Sequence, residues 1–434
     1  MSLGILATLS VGIVDAYFLG QLGSAPLAAV GYIYPVTVAL TSLSIGLSAG
    51  ANAVVSQAIG ANTRETRLHQ IALHANMIGL VLAVCVASTF ALLAPVLFPV
   101  MGASDRVMTE ILAYSGLWAV SFPFLVIQMI TGAIFRARGD AVAASALMIG
   151  AALINIALTP VLIFGWGPFP QMGTAGAAMA TLASRIIGCG AAVGYGVSSG
   201  YLRRCARLYS GFRESAVSIA SVGAPSAFSN AINPAGMALV TAAVGALGDA
   251  AVAGFGAAAR IQSVALVALL ALSAGIGPVV GQNWGANKKD RARQAVLQSW
   301  AFCMGYGLTV GAILFLLSGT LADIIAPDDA AGDYTRLYLQ IVGWSLFGYG
   351  ILVVTNAAMN ARSKALYSMG LSITRVFVVY VPLAWGGVFL FGYTGILGAA
   401  VVANLFAVGG AVWCSHRTGL ASPSRYPILA QRTS

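Results

Sequence analysis

Residues 47–62 read LSAGANAVVSQAIGAN, and residues 272–287 read LSAGIGPVVGQNWGAN. At an offset of 225 the two stretches share LSAG, VV, Q and GAN. The same offset pairs Leu22-Gly23 with Leu247-Gly248 and Gly31 with Gly256. Farther along, GTAGAA (173–178) answers GILGAA (395–400) at offset 222, and Ala137-Arg138 answers Ala361-Arg362 at offset 224. Such small drift reflects loop length. The chain is one structural unit written twice.

What kind of unit follows from composition. Of 434 residues, 59% are hydrophobic and 8% charged, with mean hydropathy +0.89. A soluble domain carries about 25% charged residues, so this chain cannot cover a water-facing surface and reads as an integral membrane protein. Continuous apolar runs, without sustained alternation, specify α-helical spans instead of a β-barrel. The 51 glycines suit helices that approach closely through small residues.

Breaks at polar and Gly/Pro-rich points give twelve segments, roughly 2–20, 27–58, 69–99, 108–135, 141–165, 174–198, 215–246, 250–283, 294–320, 335–360, 366–391 and 394–415. Each repeat therefore holds six spans, and six is even, so both repeats share one orientation. Expected domains are a first lobe at 1–200, a connecting loop at 201–214, a second lobe at 215–415 and a tail at 416–434. Parallel repeats place a cavity at their interface, open to one side at a time. That is the construction of an alternating-access transporter.

Even-numbered connections and the tail hold 17 of the 22 Lys/Arg, including the basic loop YLRRCARLYSGFRES (201–215). Odd-numbered ones hold only Arg106 and Arg336. The positive-inside rule then puts both termini in the cytoplasm. The formal charge of +10 is membrane topology and no nucleic-acid footprint. Five scattered cysteines form no CxxC pair, and the three histidines do not cluster with them, so no metal site is expected. No cofactor is expected either. Met1 to Gly20 lacks a basic region ahead of its apolar run, so no cleavable leader is expected.

No GxxxxGK[ST] loop is present, which leaves an ion gradient as the natural fuel. Of the twelve acids, eleven fall in connections or at span ends, and Asp15 alone stands within a span. A carboxylate at membrane depth costs roughly 2.5–3.5 kcal/mol on insertion scales, and such residues usually face a cavity and carry function. A carboxylate that exchanges hydration for a proton or cation as its surroundings change could drive substrate exchange. The plainer alternative is an acid near a helix end that reaches for water.

Among polar residues, Asn155, Thr159, Thr181, Asn230, Asn233, Gln262 and Asn356 could line the cavity or hold helices together. Tyr32, Tyr34 and Trp118 could receive an aromatic cation or serve packing. The intramembrane arginines Arg185, Arg260 and Arg375 read as structural.

The runs VDAYFLGQLGSAPLAAVG (14–31), GLSAGANAVVSQAIGAN (46–62) and ARIQSVALVALLALSAGIGPVVGQNWGAN (259–287) resemble the multidrug and toxic compound extrusion (MATE) family, particularly its DinF-like branch. NIALTPVLIFG (155–165), GTAGAAMAT (173–181) and GYTGILGAA (392–400) extend the likeness through nearly all twelve spans. The resemblance implies an antiporter, not an enzyme, that exports small organic and often cationic, amphipathic compounds against inward H⁺ or Na⁺. Its two six-helix lobes would form a V around a central cavity.

Asp15 takes the place of the first-helix aspartate used for cation coupling, and Asn155 and Thr181 match two polar positions of that site. Thr159 stands where many members carry a second aspartate, and Asn233 and Gly350 stand near missing acids of the second lobe. Hard cations want several oxygens and compensating charge, so coupling through Asp15 by H⁺ is expected, with Na⁺ the alternative. Relatives usually carry a longer stretch before this aspartate. The protein is expected to work as a monomer in a bacterial inner membrane. A lipid-linked sugar flippase of the same superfamily is a second reading. A membrane enzyme or receptor is a third, disfavoured because no catalytic constellation lies at membrane depth and no large extramembrane domain exists.

Overall fold

A computed structural model describes residues 1–203, 205, 208–325 and 329–421. Arg204, Arg207, Asp328, Arg425 and Arg432, which entered the charge count, lie outside the described residues, as does the tail beyond Ala421. Sixteen α-helices follow one another without a β-strand among the described residues: α1 Ser2–Leu22, α2 Ser24–Gly60, α3 Glu65–Val100, α4 Asp105–Ala137, α5 Ala141–Phe164, α6 Gly173–Ser198, α7 Phe212–Gly245 and α8 Asp249–Ala265, then α9 Val267–Gly285, α10 Lys289–Leu316, α11 Ser318–Ile325, α12 Asp329–Val342, α13 Leu346–Ala361, α14 Ala365–Ile373, α15 Val381–Phe391 and α16 Tyr393–Thr418. Twelve helical stretches among the described residues are long and apolar enough to cross a membrane. The integral-membrane, all-α expectation stands, with span ends within about six residues of those read from sequence except at the start of the eighth.

Three spans are less regular than expected. The eighth, read as one helix at 250–283, breaks at Leu266 into α8 and α9, and α9 is the part of it that qualifies as a span. The tenth passes through a 3-10 turn at Gly343–Ser345 between α12 and α13. The eleventh widens into a π-helix at Thr374–Tyr380 between α14 and α15. The basic connection is also shorter than expected, since α7 begins at Phe212.

The chain separates into two compact units, Met1–Ala235 and Gly236–Ser434. This division falls inside α7, twenty residues beyond the start of the second repeat as read from sequence. Close backbone approach explains why the first part of α7 belongs to the first unit. A methyl built on Gly46 would stand 2.4 Å from the Ala227 nitrogen, and one on Gly50 would stand 2.4 Å from the Ile219 oxygen. Only hydrogen fits there, so α2 and α7 meet main chain to main chain, the packing that small residues permit in lipid.

In the first unit α4 is central, packing on α2, α3 and α6. Its core gathers Phe90, Phe98, Ile111, Trp118, Phe122 and Ile130. In the second unit α13 packs on α9, α10 and α16, and α15 packs on α16. Apolar clusters there include Val240, Phe255, Leu346 and Ile396, and separately Leu269, Ile351 and Met359.

The repeat is visible at atomic detail where each GAN motif ends a helix. Asn62 and Asn287 both take the left-handed conformation, at φ 56 and 58. The Asn62 amide closes on Ile59 O at 3.0 Å and the Asn287 amide on Trp284 O at 3.1 Å. Asparagine tolerates this region better than other chiral residues, which suits it to a helix stop.

Candidate functional site

Helix α1 exposes most of its surface and turns only Gly4, Asp15 and Leu19 inward. Spacings of eleven and four residues keep these three on one stripe. Asp15 is therefore carried into the first unit, where it is 8% exposed. It does not reach for water at the helix end. Helix α5, against which α1 packs, buries Ala152, Asn155, Thr159 and Leu162 by the same periodicity.

The two stripes meet in a hydrogen bond. Thr159 Oγ1 donates to Asp15 Oδ1 at 3.0 Å. One turn away along α5, Asn155 Nδ2 donates to Thr181 Oγ1 of α6 at 3.3 Å. The Asn155 Oδ1 atom is buried and has no hydrogen-bond partner. A buried carbonyl in that state costs about 1–3 kcal/mol, so it is an acceptor waiting for a donor or a cation. Pro160 follows Thr159 directly and has no N–H, so the Ile156 carbonyl also lacks its usual helical partner.

Charge at the site comes from one acid and one base. Arg185, one turn beyond Thr181 on α6, bears electrostatically on Asp15. Its Nη1 donates to Ser121 Oγ at 2.6 Å, and its guanidinium lies 5.3 Å from the centre of the Trp118 ring. Tyr114, buried on α4, interacts with the Thr181 side chain, Asp15 and Arg185. Tyr114, Trp118 and Ser121 repeat at helical spacing, so one face of α4 supplies a tyrosine, an arginine seat and a hydroxyl. The structure thus brings together Asp15, Thr159, Asn155 and Thr181 and adds Tyr114 and Arg185, which the sequence reading had not placed there. Among the described residues no cluster of three His, Cys, Asp or Glu side chains could hold a metal. A cation here would be held by one carboxylate, an amide oxygen and hydroxyls.

The other candidate residues have separate partners. Tyr32 donates to Gly102 O at 3.2 Å, and Tyr34 is 65% exposed. Asn230 donates to Ser226 O of its own helix at 2.8 Å, and Asn233 belongs to the same helix. In the second unit Gln262 accepts from the Tyr338 hydroxyl, and Asn356 donates to Ser372 Oγ at 3.1 Å. Trp118 stacks on Phe122 and sits edge-on to Phe90, which makes it core as well as an arginine seat. Arg375, on the π-helix, donates to Asn404 Oδ1 at 2.7 Å, and Asn404 donates in turn to Ser345 Oγ at 2.8 Å. That relay ties the π-helix to the 3-10 turn. Arg260 is exposed.

The family model MatE matches residues 1–161 and 225–385, once for each repeat. A protein of Shewanella oneidensis named "FAD transporter" is 30% identical over 406 residues, covering 93% of this chain and 89% of that protein. "Probable multidrug resistance protein NorM" of Thermotoga maritima is 26% identical over 396 residues, covering 89% of this chain and 83% of the relative. The crystal structure of the Vibrio cholerae MATE transporter VcmN in the bent form superposes with a TM-score of 0.89 at 26% identity, covering 97% of this chain and 96% of that one. A duplicated match, twelve apolar helices and relatives of nearly equal length lead to one conclusion: this chain belongs to the MATE family and is a multi-pass membrane transporter, not an enzyme.

Proposed function

We propose that this transporter exports small organic compounds from a bacterial cell in exchange for protons, with Asp15 as the group that takes and releases the proton. The hydrogen bond from Thr159 to Asp15, in a cluster with one carboxylate, is the observation that carries this reading. Charged Asp15 accepts from Thr159. Protonated Asp15 becomes a donor and needs an acceptor, a role assigned in this reading to the orphaned Asn155 Oδ1, one turn along α5 from Thr159. Proton uptake would then rearrange the contact between α1 and α5 without bringing in a second ionic radius. A single carboxylate with a threonine at position 159 favours the proton over sodium, because a hard cation wants several oxygens and compensating charge. The Lys/Arg excess in even-numbered connections supports an inner-membrane orientation with cytoplasmic termini.

Relatives named for multidrug resistance support an organic cargo. A second reading of the cargo is flavin adenine dinucleotide, favoured by the 30% identical relative that carries that name. Both readings are tested in sealed vesicles holding the full chain, with pH and Na⁺ gradients imposed separately. A pH gradient alone should drive uptake of an organic cation dye, and Asp15→Asn should lower that rate at least a hundredfold while leaving the amount of folded protein unchanged. Retained pH-driven transport in Asp15→Asn removes the coupling role. Competition by flavin adenine dinucleotide, with none by the dye, selects the second cargo.

A further inference from the structure

The two repeats end their paired helices on the same backbone but with different charge. In the first, residues 60–69 and 136–142 carry four Lys/Arg and two acids; in the second, residues 285–294 and 360–366 carry six and one. Pairing differs accordingly. Arg138 Nη2 binds Glu65 Oε2 at 3.1 Å, and the second acid, Asp140, accepts from the Tyr195 hydroxyl at 2.6 Å. Their repeat mates are Arg362, Asp290 and Lys364. Asp290 has turned to Arg293 at 2.8 Å, and a lysine replaces the second acid.

Arg138 has a carboxylate as well as the Tyr201 ring, 5.0 Å away, whereas Arg362 has a ring and no ion pair among the described residues. Its guanidinium lies 4.1 Å from the centre of the Trp284 indole, and the exposed Lys289 ammonium lies 5.8 Å from the same ring. The Arg362 Nη1 atom is buried with no hydrogen-bond partner. Burial, and next the neighbouring Arg293 guanidinium, hold Arg362 below the ordinary arginine value. Arg293 is itself occupied, donating through Nε to Gly419 O at 2.9 Å. Two cations on one half-buried tryptophan, an unused guanidinium donor and a local excess of positive charge describe a site for a phosphate oxygen. Tryptophan is the residue that sits at headgroup depth, and basic pockets between spans take anionic headgroups.

We propose that Arg362 and Lys289, both at the Trp284 ring, bind the phosphate of an anionic phospholipid headgroup, and that the first repeat has no such site because Glu65 occupies Arg138. Each charge removed should weaken headgroup binding about fivefold.

The test is the thermal unfolding midpoint of the purified full chain in neutral detergent, titrated with phosphatidylglycerol, phosphatidylcholine or inorganic phosphate. Phosphatidylglycerol should raise the midpoint saturably and phosphatidylcholine should not. Arg362→Gln and Lys289→Gln should each shift the half-saturating concentration about fivefold upward, and Arg138→Gln should leave it unchanged. Equal titrations for wild type and both variants overturn the proposal. Inorganic phosphate that reproduces the stabilisation and abolishes the lipid effect overturns the headgroup as ligand. Lys289 is exposed, so its variant decides the matter even if Arg362→Gln does not fold.

Discussion

In Met1–Ala235, position 15 carries a carboxylate that accepts a hydrogen bond from Thr159. In Gly236–Ser434, the residue 225 positions later is Val240, fully buried in the apolar cluster that also holds Val244 and Phe255. The second unit buries a different polar group, Arg375, against the Asn404 amide and the Tyr349 ring. One ancestral helix pattern has therefore been filled in two ways. The first unit keeps an acid, with a hydroxyl, an amide and a base around it. The second keeps a base on the π-helix, tied through Asn404 to the 3-10 turn. What differs between the repeats is chemistry: a buried carboxylate in one unit and a buried guanidinium in the other.

Moving the acid across should have the largest effect on stability. Val240→Asp places a carboxylate among apolar side chains without a donor, which should cost about 3 kcal/mol. The folded, monodisperse fraction recovered in detergent should fall sharply. Asp15→Asn, which keeps the volume and an acceptor for Thr159, should leave that fraction near wild type. Equal recovery of Val240→Asp and Asp15→Asn would mean that the second unit tolerates an acid as readily as the first.

The next effect concerns how much of the first unit's chemistry depends on Thr159. A hydrogen bond to a charged group is worth about 1.5–3 kcal/mol. Thr159→Val should therefore slow pH-driven export about tenfold or more, and Thr159→Ser should restore most of it. Thr159→Asp is the sharper variant. A second carboxylate beside Asp15 supplies the charge and oxygens that a hard cation needs, so export should become responsive to an imposed Na⁺ gradient. Unchanged export by Thr159→Val would assign the hydroxyl to packing alone.

Much of this could be read from the sequence because membranes make few demands and make them strictly. Apolar runs of span length betrayed the helices, and a single acid inside a span singled out Asp15. Asn155 and Thr159, four apart, had to share a face of α5, and both turned inward. Other features left no local trace. Tyr114 reads like any interfacial tyrosine, and only the packing of α4 against α6 puts it beside Thr181. The break at Leu266 and the π-helix at Thr374–Tyr380 lie in stretches whose composition is continuous with their surroundings, so tertiary contacts decide them. The pairing of Asp290 with Arg293 instead of Arg362 is likewise a choice between equally available partners, and one residue of helical phase settles it.

The smallest expected effect concerns the backbone that the repeats share. Gly139 and Ser363 are repeat mates, both at positive φ, 89 and 60. The flanking closures match: Asp140 N reaches Phe135 O at 2.9 Å, and Lys364 N reaches Met359 O at 2.8 Å. A serine pays about 1–2 kcal/mol for the left-handed region, whereas glycine enters it freely and loses about 0.5–1 kcal/mol through the greater freedom of its unfolded chain. Ser363→Gly should therefore stabilise by about 0.5 kcal/mol, and Gly139→Ser should destabilise by a similar or larger amount. Paired thermal unfolding midpoints of the two variants check the signs. A lower midpoint for Ser363→Gly would mean that the serine side chain contributes more through its own bonds than its backbone costs, and the turn beside Arg362 would then be held by side chains where its mate is held by conformation.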